Sequence, residues 1–239
     1  MGKSTAVTDP DVKEIERVVK KYSETRKLVD AMLAQLKSAV EGSDDLMKYV
    51  HSLRWRTKDP AHLKDKLKRK LDKAKKEGSV FDVSVENYMD KINDLAGLRI
   101  LHLHSTQIGD IDRGLKNLFK DYRYEVIEEA TARTWDIEYK QFYEGIGIKT
   151  VENERMYTSV HYVVSPSRET RMTCEIQVRT LAEELWGEVD HSMNYPHKTK
   201  ISTCMNQIKV LARVTSSCSR LVDSIYSAAE VKKTKKKPV

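Results

Sequence analysis

Tyr157-Thr158-Ser159-Val160-His161, Glu175-Ile176-Gln177-Val178-Arg179-Thr180, Leu185-Trp186 and Asp190-His191 are the residues on which the fold of this chain turns. From Glu175 to Arg179, polar residues alternate with Ile176 and Val178. Side chains on a β-strand alternate between its faces, so Glu175, Gln177 and Arg179 share one face and the aliphatics the other. A carboxylate, an amide and a guanidinium in one row must each be paired or solvated. An edge row facing a polar cleft meets that demand. An antiparallel strand with one wet face meets it equally well.

Working outward, 95–103 reads as a buried strand introduced by Asp94 and kinked at Gly97. Further strands are expected over 124–128 and 160–164, with 172–180 following a turn near Pro166. Helical periodicity predicts a long helix over 10–41, its apolar face running from Val12, Ile15, Val18, Val19 and Tyr22 to Leu28, Met32 and Leu36. A second helical piece is expected over 43–53. Pro60 opens a helix to about residue 76, with Leu63, Leu67, Leu71 and Ala74 on one face and Lys or Arg on the other, and Gly78 ends it. Helices over 107–121, 180–193 and 200–230 complete the pattern. Residues 132–156 show no regular period and read as a mobile loop. The order predicts an α+β fold with a mixed sheet of four to five strands flanked by N- and C-terminal helices. It divides into a helical segment (1–53), a core (54–195) and a C-terminal helix with a basic tail (196–239).

Of the 239 residues, 39% are hydrophobic and 33% charged, as in soluble globular proteins. No apolar run approaches the ~20 residues of a membrane span, and no secretory signal is visible. Three cysteines without a Cys-x-x-Cys pair argue against a disulfide framework, so a cytoplasmic protein is expected. The net charge of +7 is concentrated. Residues 54–76 carry eleven Lys or Arg against three Asp, and the 232–237 tail adds five lysines, leaving the remainder acidic. That distribution argues against a DNA-coating surface and for a focused polyphosphate site.

Several motifs carry chemistry, and others mimic it. Gly2-Lys3-Ser4-Thr5 resembles the end of a phosphate-binding loop, but no glycine-bearing turn precedes it. His102 and His104 share a strand face without a third ligand, as ordinary polar-face histidines do. Asp94 before one apolar strand and Glu175 within another are suited to hold Mg²⁺ on neighbouring strands; a turn aspartate plus a surface glutamate is the plainer alternative. Arg56, Lys58 and Lys66 are natural phosphate clamps, although most of 68–76 reads as a solvated basic face. Tyr157 is placed either to stack on a base or to pack at a strand edge.

Together these pieces resemble the synthetase domain of the RelA/SpoT homologue family, and in size its small alarmone synthetases. The likeness rests on Arg56-Thr57-Lys58 with Lys66; Asp94-Leu95-Ala96-Gly97-Leu98-Arg99; Tyr157, Ser159 and His161; and Glu175, Gln177, Arg179 and Thr180 followed by Trp186. It covers about residues 50–195. The resemblance implies a polymerase-beta-like nucleotidyltransferase fold and Mg²⁺-dependent transfer of pyrophosphate from ATP to the 3′-hydroxyl of GDP or GTP. It implies that Arg56 and Arg99 sandwich adenine and that Lys58 and Lys66 contact ATP phosphates. Asp94 and Glu175 would hold the metal, with Glu175 also a base. Tyr157 would stack on the acceptor base, and His161, Gln177 and Arg179 would line the acceptor side.

Three departures bear on this. His62 stands where relatives often have serine, and Asp190 replaces the common glutamate before His191. Val151-Glu152-Asn153-Glu154-Arg155-Met156 stands where relatives carry lysines, so Lys149 and Arg155 must offset two glutamates if a 5′-polyphosphate is to bind. A toxin-type relative modifying the 3′ end of tRNA is therefore the second expectation, and an inactive nucleotide-binding module the third. No hydrolase domain is expected. Homo-oligomers and an antitoxin partner belong to the resemblance and have no sequence signal of their own.

Overall fold

The computed structural model describes residues 9–166, 172–195 and 198–234. The Gly2-Lys3-Ser4-Thr5 stretch and the end of the basic tail lie outside the described residues. Helix α1 (Pro10–Glu41) starts where Asp9 accepts a bond from the Asp11 amide and Pro10 takes the first turn. It buries Ile15, Val18, Tyr22, Met32 and Leu36. Val29 and Leu33 also face the core, whereas Leu28, expected on that face, is 57% exposed. The short helix α2 (Asp44–Met47) is followed by strand β1 (Ser52–Thr57), where the sequence suggested helix through residue 53. Helix α3 (Pro60–Glu77) is capped by Asp59, which accepts from the Ala61 and His62 amides, and closes on left-handed Gly78. Its buried stripe is Leu63, Leu67, Leu71 and Ala74, as expected.

After the one-turn helix α4 (Tyr88–Lys91), strand β2 (Ala96–His102) leads through a short 3₁₀ turn into α5 (Ile108–Asp121). Residues 132–156 are not a loop. They hold the end of β3 (Glu125–Thr134), helix α6 (Ile137–Gly145) and strand β4 (Lys149–Glu152). Asp136 caps α6 by accepting from the Glu138 and Tyr139 amides. Strands β5 (Ser159–Ser165) and β6 (Cys174–Thr180) precede α7 (Leu181–Asn194) and α8 (Ser202–Thr234).

The α+β expectation holds, but β1 and β4 raise the sheet to six strands in the order β1-β2-β6-β5-β3-β4. The sheet is mixed: β2 runs parallel to β6 and β3 to β4, and the remaining pairs are antiparallel. β6 is therefore interior rather than an edge, with β2 on one side and β5 on the other. β2 keeps unbroken register with both neighbours through Gly97, so the expected kink is absent. The core runs from α1 and α3 under the sheet and takes in Leu98, Ile100, Tyr162, Ile176 and Val178. Tyr22 in α1 donates a 2.6 Å bond to the Lys58 carbonyl, fixing the β1–α3 connection.

Candidate active site

Strand registry assembles the site. Arg54 lies opposite Arg99, Arg99 beside Gln177, Gln177 opposite His161 and His161 opposite Thr131, so one row crosses five strands. One step along, Arg56 lies opposite Gly97, which lies beside Glu175. The alternation read in β6 is real, with Ile176 and Val178 in the core and Glu175 and Gln177 half-buried on the other face.

Two cavities open on this face. The first, about 360 Å³, is walled by Arg54, Trp55, Arg56, Asp94, Arg99, Glu188 and His191. The second, about 790 Å³, has Tyr157, His161, Trp186, Arg133 and Arg155 in its lining. Glu175 and Gln177 line both. Of the residues expected on the ATP side, Arg56 and Arg99 line the first cavity, whereas Lys58 and Lys66 do not and instead pair with Asp94 at its wall; most of those expected on the acceptor side line the second.

Asp94 accepts from Lys66 Nζ at 2.7 Å and pairs with Lys58 Nζ at 2.9 Å. Burial alone would discourage its ionisation, but the two ammonium groups outweigh that and hold its carboxyl below the ordinary value. Burial likewise opposes ionisation of Glu175, and the bond from His161 reverses the balance, keeping Glu175 ionised. His161 Nδ1 lies 2.9 Å from Glu175 Oε1, and Gln177 Nε2 donates to Oε2 at 2.9 Å. An ionised carboxylate only accepts, so His161 carries its proton on Nδ1. Its buried Nε2 has no protein partner among the described residues.

Two expected acceptor residues stand apart. Lys149 is exposed on β4 and does not line the second cavity. Arg179 is 3% exposed, beneath α7, ion-paired with Glu184 and 5.6 Å from the Tyr157 ring centre. A Cβ at Gly187 would sit 2.5 Å from Arg179 Nη1, so the glycine within α7 makes room for the guanidinium. His102, expected on a polar face, is buried, bonded to the His104 carbonyl and held neutral by burial, with a pKa pushed down to about 4. The departure at His62 packs edge-on against Tyr195 at 5.5 Å. Asp190 accepts from Asn194 and lines the second cavity.

Sequence reasoning missed Arg54, Arg133, Glu128, Glu184 and Glu188. Glu184 is 5% exposed and receives Arg54 and Arg99, each at 3.1 Å, besides Arg179. Arg99 also reaches Glu188 at 2.5 Å. The signal was weak, because a glutamate pair opening a helix reads as a cap. Glu183 is that cap, exchanging bonds with Thr180.

Glu183 gives a pH prediction. Burial pushes its pKa up to about 7, against the lowering effect of the Thr180 bonds. Between the ordinary glutamate value and about 7 the folded chain holds a proton that the unfolded chain has released, so stability falls as pH rises through that window and levels off above it. Glu183→Gln removes the ionisation and should flatten the slope, with a higher Tm than the parent at pH 8. The gain is on the order of 3 kcal/mol at most. Thermal melts of both proteins from pH 5 to 8 check this, and parallel curves would contradict it.

A sequence profile described as the region found in RelA / SpoT proteins matches residues 55–200. The chain belongs to the RelA/SpoT family. The RelA/SpoT match starts within β1 and extends just beyond α7, so it takes in every residue lining the two cavities except Arg54. GTP pyrophosphokinase YjbM of Bacillus subtilis (strain 168) is 26% identical over 217 residues, covering 88% of this chain and 86% of that protein. A GTP pyrophosphokinase family protein from Streptococcus pneumoniae shares the fold at TM-score 0.63 and 17% identity, over 91% of this chain and 98% of that one. Small alarmone synthetase 1 from Bacillus subtilis, solved with its product pppGpp, shares it at TM-score 0.57 and 20% identity, over 90% and 99%. Among the described residues no helix is long and apolar enough to cross a membrane.

Proposed function

We propose that this chain is a nucleotide pyrophosphokinase that moves the β,γ-pyrophosphate of ATP to the 3′-hydroxyl of GDP or GTP, giving (p)ppGpp. One observation carries the reading: Glu175 and Gln177 form a common wall between a cavity lined by arginines and Asp94 and a cavity lined by Tyr157 and His161. Two substrates meeting across one carboxylate suit in-line transfer, which asks chiefly for positioning and charge neutralisation. The named activity of the YjbM relative and the pppGpp complex of the Bacillus synthetase support it.

In this reading Arg56 and Arg99 hold adenine in the first cavity, and Lys58 and Lys66 meet the phosphates. Tyr157 stacks on the acceptor base. The acceptor 3′-oxygen attacks the β-phosphorus as the bond to the α-phosphate oxygen breaks, and AMP leaves. Glu175, ionised and facing both cavities, takes the hydroxyl proton. Asp94 and Glu175 fit a Mg²⁺ ion, which takes one or two carboxylates and completes its shell with water and substrate phosphates. Bound there, it would neutralise charge on the transferring group. No group of three His, Cys, Asp or Glu suited to a metal occurs among the described residues.

A second reading has an observation in its favour. The second cavity is lined by the carboxylates of Glu128, Glu152, Glu154, Glu175 and Asp190 against the guanidiniums of Arg133 and Arg155. That excess opposes a 5′-polyphosphate and favours the 3′-terminal nucleotide of a tRNA. Incubation with β-labelled ATP and Mg²⁺, supplying GMP, GDP, GTP or deacylated tRNA in turn, decides between them. Label on GDP or GTP supports the first reading and label on tRNA the second. No labelled acceptor would leave a nucleotide-binding module. Tyr157→Ala should raise KM for the labelled acceptor by roughly tenfold or more, as lost stacking does, with ATP affinity nearly unchanged. Equal losses on both sides would place the ring elsewhere.

A further inference from the structure

We infer that Glu184 is a positioning residue that holds both cavities in register through a single buried carboxylate. Three strands send guanidiniums to it: Arg54 from β1 and Arg99 from β2, each at 3.1 Å, and Arg179 from β6. Arg54 and Arg99 are walls of the first cavity. Arg179 lies against the Tyr157 ring, which borders the second. Glu184 enters neither cavity, and its side chain is 6% exposed.

The electrostatics make the role specific. Three guanidiniums converging on one point repel one another unless a negative charge lies between them, and a buried cation left unpaired is costly. Glu188 shares part of the load, reaching Arg99 at 2.5 Å and Arg54 at 3.9 Å, but it is about half exposed and forms no ion pair with Arg179. The two glutamates therefore differ in reach. Glu188 makes its ion pairs with the first cavity's arginines and feels Arg179 only at longer range, whereas Glu184 ties those arginines directly to the guanidinium under the second cavity's tyrosine. Its place in the opening turn of α7, next to the Thr180–Glu183 cap, fixes the carboxylate by helix geometry. The Cβ-free surface of Gly187 leaves the space in which Arg179 reaches it.

The test compares Glu184→Gln with Glu188→Gln. Its kinetic arm rests on the pyrophosphate-transfer reading, and its structural arm does not. Glu184→Gln should raise KM for ATP and KM for the acceptor together, each by roughly tenfold, because displacements of about 1 Å cost at least that much in oriented sites. Glu188→Gln should raise only KM for ATP. A residue needed only for folding would lower Tm and the active fraction while leaving both KM values as they were, and that result would overturn the inference. So would a change confined to one substrate in Glu184→Gln. If that variant does not fold, Glu184→Asp keeps the charge with a shorter reach and should raise both values in the same sense; unchanged values there would also overturn the inference. In a nucleotide-free crystal structure of Glu184→Gln, or of Glu184→Asp if needed, Arg99 and the Tyr157 ring should both have moved. Both side chains unmoved would refute the role even if the parent labels no acceptor, an outcome that by itself counts only against the functional reading.

Discussion

Glu175→Gln is expected to lower kcat by about 10³-fold, within the range that a lost general base costs, while the chain stays folded. The carboxylate is at once the partner of His161 and Gln177, a wall of both cavities and the proposed acceptor of the 3′-hydroxyl proton. Glutamine matches its size, and the amide oxygen still accepts from His161. The lost acceptor toward Gln177 lies at a half-buried position open to water, so the stability cost is on the order of 1 kcal/mol. Affinity for each nucleotide should change little, because the purine contacts of the proposed site lie elsewhere. Single-turnover rates beside a thermal melt check the pair of claims. A turnover near that of the parent would remove Glu175 from the chemistry, and a collapse of Tm would make it structural.

Asp94→Asn should be comparably damaging, with a different signature. Its carboxylate neutralises Lys58 and Lys66 at 2.9 and 2.7 Å. Removing that charge deprives the proposed metal of one ligand and frees two ammonium groups to face phosphate. The expected result is kcat down by about 10³-fold with ATP binding equal to or tighter than that of the parent. Calorimetric titration with an unreactive ATP analogue measures the second half. Weaker binding together with retained turnover would mean that Asp94 orders the lysines and does no more.

Much of this site was legible because its chemistry is written in local patterns. The alternation around Glu175 gave the strand and its polar face, and Pro60 with Gly78 bounded α3. What failed has a common cause: a strand pattern tells which face a residue occupies, not what covers that face. Arg179 shares its face with Glu175 and Gln177, yet the opening of α7 lies over it, so it is buried where they are half-open. Glu184 was invisible for the same reason, since two of its three partners, Arg54 and Arg99, come from strands distant in sequence. Strand β1 was not anticipated, its first two residues being read as the end of a helix, because its Arg54-Trp55-Arg56 run is exposed and lacks a buried row. The pieces within 132–156 were missed because β4 is only four residues long and exposed on most positions, while α6 buries just Tyr139 and Tyr143. Leu28 was assigned inward by spacing alone, but Val29 takes that place once the long helix meets its neighbours.

The position of β6 bears on how the protein comes into being. It is the last described strand to be synthesised, yet it lies in the middle of the sheet, between β2 and β5. Pairing with β2 closes a loop of more than seventy residues, a non-local step of the kind that slows folding. A nascent chain lacking β6 has two sheet halves with facing open edges and neither cavity complete, since Glu175 and Gln177 line both. Both cavities are therefore completed in one step, when β6 takes its place between β2 and β5.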